Sequence, residues 1–335
     1  RICSARSSTA STPSSSPPSS PQPIATRRSP LALWQARDVQ ARLARACGLE
    51  GEAADAAFPI LGLVSTGDRI QDRTLLEAGG KGLFTKEIDE AQLAGEATFA
   101  VHSMKDVPTE LPEGLALGAI LEREDPRDML LARGGETRLA DLPEGVVVGT
   151  ASLRRQAQLL HVRPDITVVP LRGNVDTRLG RLRDGEIYAT FLARAGLNRL
   201  GRDEAKRTPL AMDEMLPAAA QAAVGVAVRA DDAEARTWLA PLNHAATELA
   251  IVAERAFLRK LDGSCRTPIA AHLNNESMDL TGEVLTPDGT TRWQKSIGID
   301  LQTCSIDQAA KAGHDLGQAI RDEAGDRLEQ VLGVA

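Results

Sequence analysis

Aromatic side chains are scarce, with Phe, Tyr and Trp together making up 3% of the chain. Any core must therefore be aliphatic, and hydrophobic residues at 42% supply enough Ala, Leu, Val and Ile to build one. Cysteine is scarce too. Cys3, Cys47, Cys265 and Cys304 stand far apart with no CxxC pair. That spacing excludes a disulfide scaffold and a ribbon-type zinc site, and free thiols fit a reducing compartment. No apolar run approaches the ~20 residues that span a bilayer. An excess of basic residues is missing as well: 39 Lys and Arg face 46 Asp and Glu, a net charge of −7. A general nucleic-acid binder is therefore not indicated. At 335 residues the chain is too long for one small domain and predicts two or three.

Residues 1–23 hold nine Ser, five Pro, two Arg and no acid. Such a stretch has little apolar surface to bury and is expected to lie outside the fold. It reads as a disordered leader or as the remnant of an organelle transit peptide. Its Ser-rich, Arg-bearing, acid-poor character favours the transit peptide.

From Ile24 strands and helices alternate. A short strand leads into a helix over about Ser29 to Ala46, with Pro30 in its first turn and Gly48 to stop it. Phe58 to Val64 has strand length, Lys86 to Ala94 has helical spacing, and Phe99-Ala100-Val101 is a short apolar run. A second series follows Pro112. Its strands are Gly145 to Gly149, Ile166 to Leu171 and Ile187 to Leu192, and its helices are Leu153 to Leu160 and Val175 to Leu182. The alternation predicts an α/β architecture of parallel sheets and crossover helices. Ligands in such folds sit beyond the strands' carboxyl ends, at helix N-termini. Beyond Pro241 the style changes to an α+β module: a helix over Ala246 to Leu261, three strand-like runs between Ile269 and Ile299, and one long helix over about Ile306 to Leu332.

An acidic chain carries a concentrated basic cluster. Seven arginines stand between Thr150 and Arg183, with Asp165 and Asp176 as the opposing acids. Arg154 and Arg155 open a helix behind the small polar residues Thr150-Ala151-Ser152. Arg172-Gly173-Asn174 repeats the arrangement after the next strand, with Arg178 one turn into the helix. Strand-to-helix junctions offer backbone N–H groups, a helix dipole and guanidinium forks, which suits several carboxylates or phosphates. Arg154, Arg155, Arg172 and Arg178 are therefore assigned to a polyanion site, whereas Arg163, Arg181 and Arg183 read as surface residues. Arg27-Arg28-Ser29 marks a third such junction. The glycine string around Lys81 lacks Walker spacing and reads as a mobile loop.

Two further segments carry chemistry. Lys105 and Asp106 follow a short strand. They can set a carboxylate beside a fixed positive charge, or Asp106 can simply cap the turn before Pro108. His102 and Asp106 have the spacing of metal ligands, but Pro108 and the scarcity of Cys and His argue against a metal. Cys265 falls between a helix and a strand, next to Arg266, and reads as a nucleophile or an attachment point. Cys47 and Cys304 read as structural.

Taken together, these stretches resemble the porphobilinogen deaminase (hydroxymethylbilane synthase) family from Ile24 onward. The carriers are ATRRSPLALWQA from Ala25, GGKGLFTKEIDEA from Gly79, AVHSMKDVPTELP from Ala100 and EREDPRD from Glu122. GTASLRRQ from Gly149, LRGNVDTRL from Leu171 and ERAFLRKLDGSCRTPIA from Glu254 complete the set. The resemblance implies two doubly wound domains like those of periplasmic binding proteins, residues 24–121 with 222–240 and residues 122–221. A small α+β domain, 241–335, follows. It implies that four porphobilinogen molecules are deaminated and condensed on a dipyrromethane cofactor held covalently by Cys265, and that water then releases the linear tetrapyrrole.

By the same resemblance, Lys105, Ser103, Thr150, Ser152, Arg154, Arg155 and Arg178 would hold the cofactor's acid groups. Arg27, Ser29, Arg172 and Arg199 would hold the incoming or terminal ring. Asp106 would be the central catalyst and Lys81 would ride on the mobile loop. The implied partners are porphobilinogen and the growing polypyrrole chain, with no nucleic acid, membrane or metal, in a monomer. The wording of the motifs is similar to the plant and algal branch, which implies a plastid stromal enzyme of heme and chlorophyll synthesis. A non-catalytic two-lobed anion-binding protein would explain the arginines, but neither Cys265 nor Asp106. The chain departs from the family pattern at Thr98-Phe99, at Arg194 and at Ala222. Ala222 stands where the family usually has Gly, and is strained if that glycine serves close backbone packing or a positive φ.

Overall fold

The computed structural model describes residues 15–69, 82–263, 267–300 and 302–332. The expected roles of Lys81 and Cys265 fall outside the described residues. Ser29 starts the first long helix as its sequence predicts: its Oγ accepts the Ala32 amide at 3.3 Å, and Pro30 takes the first turn. The helix Pro30–Ala46 then buries Ala36, Val39 and Leu43 against a sheet.

The strands before the second lobe are β1 (Ile24–Arg27), β2 (Ile60–Leu63), β3 (Phe99–Ser103) and β4 (Leu115–Ile120). The second lobe contains β5 (Asp128–Ala132), β6 (Val147–Gly149), β7 (Thr167–Val169) and β8 (Ala189–Ala193). After it come β9 (Val224–Arg229), β10 (Ile269–Asn274), β11 (Asp279–Leu285) and β12 (Arg292–Gly298). They form sheets in the orders β2-β1-β3-β9-β4, β5-β8-β6-β7 and β10-β11-β12.

β1 runs parallel to β2 and β3, and β6 runs parallel to β7 and β8, as crossover helices require. The expectation of parallel sheets needs correcting at two places. β9 is antiparallel to both β3 and β4, and β5 is antiparallel to β8. These are the strands by which the chain leaves and re-enters the first lobe, so no crossover helix fixes their direction.

Two other expectations change. The final helix is two, Ile306–Ala324 and Asp326–Leu332, because Gly325 between them has φ 54°. The leader also joins the fold earlier than its composition suggests. Ser15 N donates to Ala46 O at 3.0 Å, Trp238 Nε1 to Ser16 O at 3.0 Å, and Gln22 N to Ala57 O at 2.7 Å. A Pro-rich segment needs no partner strand when other backbone and indole groups meet its amides and carbonyls.

The first lobe gathers its few aromatics behind the sheet, with the Phe58 and Phe99 rings 6.3 Å apart and Phe99 and Trp238 6.4 Å apart. The crossing back to β9 is held by Glu254, which is fully buried on the helix Ala245–Lys260. It accepts from Arg123 at 2.6 and 3.0 Å, from Ala220 N at 2.6 Å and from Leu273 N at 2.9 Å. One carboxylate thus ties the crossing segment to the third sheet. Burial alone would raise its pKa, but Arg123 and His272 hold the carboxyl down at about 2. Within the crossing, Ala222 has φ 73°, the left-handed backbone in which an L side chain is strained.

Candidate active site

β3 ends at Ser103, and Met104–Asp106 makes one tight turn beyond its carboxyl end. Met104 seats over Gly225 of β9, where an added Cβ would lie 2.1 Å from the Met104 sulfur. The absence of a side chain on this central strand therefore sets the height of the turn. Lys105 and Asp106 face a cleft of about 590 Å³ that residues of the first two sheets and their helices line. Among the described residues, seven cationic side chains and three carboxylates line it, which predicts an anionic ligand.

The floor on the second lobe is a buried charge cluster. Ser152 caps the helix Leu153–Val162 through the Arg155 amide. Arg154 and Arg155 project from its first turn and are 4% and 5% exposed. Both meet Asp128, the first residue of β5, at 2.6 and 2.7 Å. Arg154 also donates to Leu216 O at 2.6 Å and Arg155 to Phe191 O at 3.0 Å. Burial would raise the Asp128 carboxyl, but the two guanidiniums hold it far below the usual range. The paired arginines are thus anchored from behind, a partner absent from the sequence reading. Their Nε atoms are buried and find no partner among the described residues.

Lys105 donates to Gln221 Oε1 at 3.3 Å, and burial together with the Arg155 charge pushes its ammonium down to about 8. Burial, Arg155 and Arg172 likewise lower Arg178 to about 10. A ligand carboxylate would relieve both. Asn174 caps the next helix, Val175–Arg183, and Arg178 Nε donates to Gly173 O at 2.9 Å. Arg172 reaches across the cleft to Gly67 O at 3.3 Å.

On the first lobe, Arg27 ends β1. Its Nε donates to Asp68 at 3.0 Å, and a second bond from Nη2 completes the fork. The guanidinium lies 4.5 Å over the Phe84 ring, with Nη1 3.7 Å from Asp106. Asp106 accepts no hydrogen bond among the described residues, so the turn-capping alternative is not what this side chain does.

Ser29, Ser152, Arg154, Arg155, Arg172 and Arg178 all line the cleft as expected. Three expected residues do not. Ser103 Oγ is bonded to Gln35 at 3.0 Å. Thr150 is buried and accepts the Ser152 amide at 3.1 Å. Arg199 donates to Ala222 O at 2.7 Å and lies over Trp34. Each is satisfied within the protein and supports the site from outside. Asp68, Phe84, Asp128 and Gln221 were missed. Asp128 was within view, since it closes the EREDPRD stretch, but nothing in its spacing pointed to Arg154 and Arg155.

The donors fit a polycarboxylate cofactor: seven cationic side chains line the cleft, and Lys105, Arg154 and Arg178 are held below their ordinary pKa by burial. No cluster of three His, Cys, Asp or Glu able to hold a metal occurs among the described residues. No described helix is long and apolar enough to cross a membrane.

Fold and site together define a two-lobed α/β protein with a cationic cleft suited to an organic polyanion and built around Asp106. Residues 23–237 match the family model described as "Porphobilinogen deaminase, dipyromethane cofactor binding domain", and residues 248–322 match its C-terminal domain. The chain belongs to the porphobilinogen deaminase family. It is 48% identical to the porphobilinogen deaminase of Phenylobacterium zucineum over 312 residues, 91% of this chain and 97% of that one. It is 50% identical to that of Paracoccus denitrificans over 303 residues, 90% of this chain and 94% of that one. To the chloroplastic porphobilinogen deaminase of Oryza sativa subsp. japonica it is 46% identical over 305 residues, 90% of this chain and 84% of that one. Among solved structures, the periplasmic VFT2 domain of Bordetella pertussis BvgS aligns with a TM-score of 0.38 at 16% identity, over 66% of this chain and 84% of that one.

Proposed function

We infer that the protein deaminates porphobilinogen and joins four molecules head to tail on a dipyrromethane primer, the hydroxymethylbilane synthase reaction of tetrapyrrole synthesis. One observation carries this reading beyond family membership: Asp106 faces the cationic cleft with no hydrogen bond among the described residues, its nearest cation Arg27 Nη1 at 3.7 Å. Asp68 and Asp176, the other described carboxylates of the cleft, are each bonded to an arginine, so Asp106 is the one left for a ligand. Porphobilinogen brings an acetate and a propionate, and positive charge develops on its pyrrole as ammonia leaves. A fixed carboxylate stabilises that charge and can accept the proton lost on ring coupling.

The primer supplies the free pyrrole carbon to which the first ring is joined. Lys105, Ser152, Arg154, Arg155 and Arg178 hold its acid groups, with Asp128 fixing the two helix arginines. Arg27, Ser29 and Arg172 take the incoming ring's carboxylates. Phe84 and Asp68 keep the Arg27 guanidinium flat and aimed at Asp106. Cys265 is the attachment point; Leu258 and Thr267 on either side of it line the cleft, which supports the assignment. Residues 24–121 with 222–240, 122–221 and 241–335 are the three domains, in keeping with the three sheets.

Intact mass of the purified chain tests the assignment. A dipyrrole adduct is expected, absent from Cys265→Ser; an unmodified active chain, or an adduct on Cys47 or Cys304, overturns it. We place the protein in the plastid stroma. The Ser-rich, acid-free leader supports this and identity does not separate the branches, since bacterial and rice relatives match almost equally. Fractionation of the source cells should find it with the stroma; recovery in the cytosol overturns the address. Light scattering should give a monomer of 35.6 kDa, and a dimer would refute that assignment.

A further inference from the structure

Behind Asp106, on the side away from the second lobe, lies a recess of about 20 Å³. Ala32, Phe84 and Val101 give it apolar walls, and Arg27, Gln35, Thr85, His102, Ser103 and Asp106 polar ones. A space of this size takes one water-sized group and excludes a pyrrole ring. Its walls mix apolar and polar groups, and two of the polar ones are unused. His102 is 5% exposed and Thr85 2%. His102 Nε2 and Thr85 Oγ1 are both buried without a hydrogen-bond partner among the described residues. Thr85 Oγ1 lies beside Asp89 without a well-formed bond, and Gln35 is already bonded to Ser103. Unpaired buried polar groups are costly unless something small and polar meets them.

The charge of the site narrows what that is. The large cleft is cationic, which suits the two carboxylates of porphobilinogen and repels its aminomethyl group, an ammonium at neutral pH. Beside Asp106 the recess adds two unpartnered polar atoms, His102 Nε2 and Thr85 Oγ1, with Arg27 at its border. Burial and the Arg27 charge keep His102 neutral, down at about 4. With its proton on Nδ1, the ring offers Nε2 as an acceptor.

We propose that this recess is the subsite for the substrate's aminomethyl nitrogen, which donates to Asp106, His102 Nε2 and Thr85 Oγ1 and departs through it as ammonia. The inference rests on the reaction inferred above and deepens it. The carbon–nitrogen bond breaks and its electron pair leaves with nitrogen. The ammonium's three hydrogens depart as NH₃, and the positive charge stays on the pyrrole-methylene unit facing Asp106. No further proton is needed. Arg27 Nη1, 3.7 Å from Asp106, shares that carboxylate, so a cationic amine is bound without being trapped. The subsite also fixes orientation: a ring with its acids among the arginines enters with its reactive carbon toward Asp106. His102 and Thr85 are the specificity-determining residues this adds.

The test uses the holoenzyme with Thr85→Val, which keeps shape and removes the hydroxyl, His102→Leu, and His102→Gln, which restores an acceptor. Two quantities are read: KM for porphobilinogen, and the inhibition constant of the same pyrrole bearing methyl in place of aminomethyl. Thr85→Val and His102→Leu should each raise KM about tenfold, the loss of one bond to a charged donor. His102→Gln should recover most of that loss, and the methyl compound should bind all variants alike. Equal losses for both compounds mean general damage and overturn the subsite. No loss for either assigns the recess to a resident water and overturns it too. Should His102→Leu fail to fold, Thr85→Val decides alone. A wild-type enzyme that neither consumes porphobilinogen nor binds the methyl compound refutes the functional reading itself, independently of these variants.

Discussion

Asp128→Asn removes one charge from beneath two buried guanidiniums. Asp128 is fully buried and receives Arg154, Arg155 and the Gln221 amide, the last at 3.0 Å. Asparagine keeps the shape and one acceptor oxygen. It leaves two cations with no counter-charge at bonding distance and Lys105 close by. Removing one partner of a buried ion pair costs about 3–5 kcal/mol. For a chain of this length each kcal/mol lowers the melting temperature by roughly 2 °C, so a fall of roughly 6–10 °C is expected. Scanning fluorimetry reads it directly. A double variant with Arg154→Met separates pairing from packing: once one guanidinium is gone, the missing carboxylate matters less. The double variant should therefore fall short of the sum of the singles by about 1–3 kcal/mol. A melting temperature within about 2 °C of wild type, or strict additivity, would refute the view that Asp128 anchors the paired arginines.

Asp106→Asn should fold, keep its adduct by intact mass and lose at least about a hundredfold in kcat; near-normal turnover would show the carboxylate is not catalytic. Burial holds the Asp89 carboxyl up at about 6. A raised pKa means that its stabilising contribution is present below the ordinary carboxylate range and is lost as pH rises through about 6. Asp89→Asn should accordingly raise the melting temperature near pH 8 and give no gain near pH 4, and equal shifts at both would contradict this. Ala222→Gly relieves a left-handed alanine and should stabilise by about 1 kcal/mol in urea titration; a loss of stability would mean the side chain's packing outweighs the strain.

Much of the fold was legible because strand and helix signals here are local. Pro30 behind Ser29, and Ser152 and Asn174 before their helices, mark starts that the chain keeps. The strand Leu115–Ile120 was hidden by Gly118 in its middle, and Asp128–Ala132 by opening on a charge. Ala222 was legible as a strained position but not to its backbone angle, because a glycine expected there serves either close packing or a left-handed backbone, and only the structure separates them. The arginine cluster could be located but not its counter-charge. Asp128 and Arg154 are brought together only by the packing of β5 beside β8, and no spacing rule encodes that. The Arg27–Asp68 fork escaped for the same reason. The recess at His102 depends on which buried atoms lack partners, a property of the assembled site alone.

The place of β9 between β3 and β4 has a consequence for the chain's biosynthesis. Val101 pairs with Val226. At ordinary elongation speeds the ribosome needs on the order of ten seconds to travel that interval. During it, β5 to β8 can close their own sheet, since all four precede β9 in the sequence. The first lobe cannot close. It waits with a slot between β3 and β4, flanked by two bare strand edges of the kind that recruit foreign strands. A slow ribosome lengthens that exposure while the second lobe is already native. Where the chain folds as it is made, slower arrival of the segment Val224 to Arg229 should lower the yield of soluble enzyme even with the stability of both lobes unchanged.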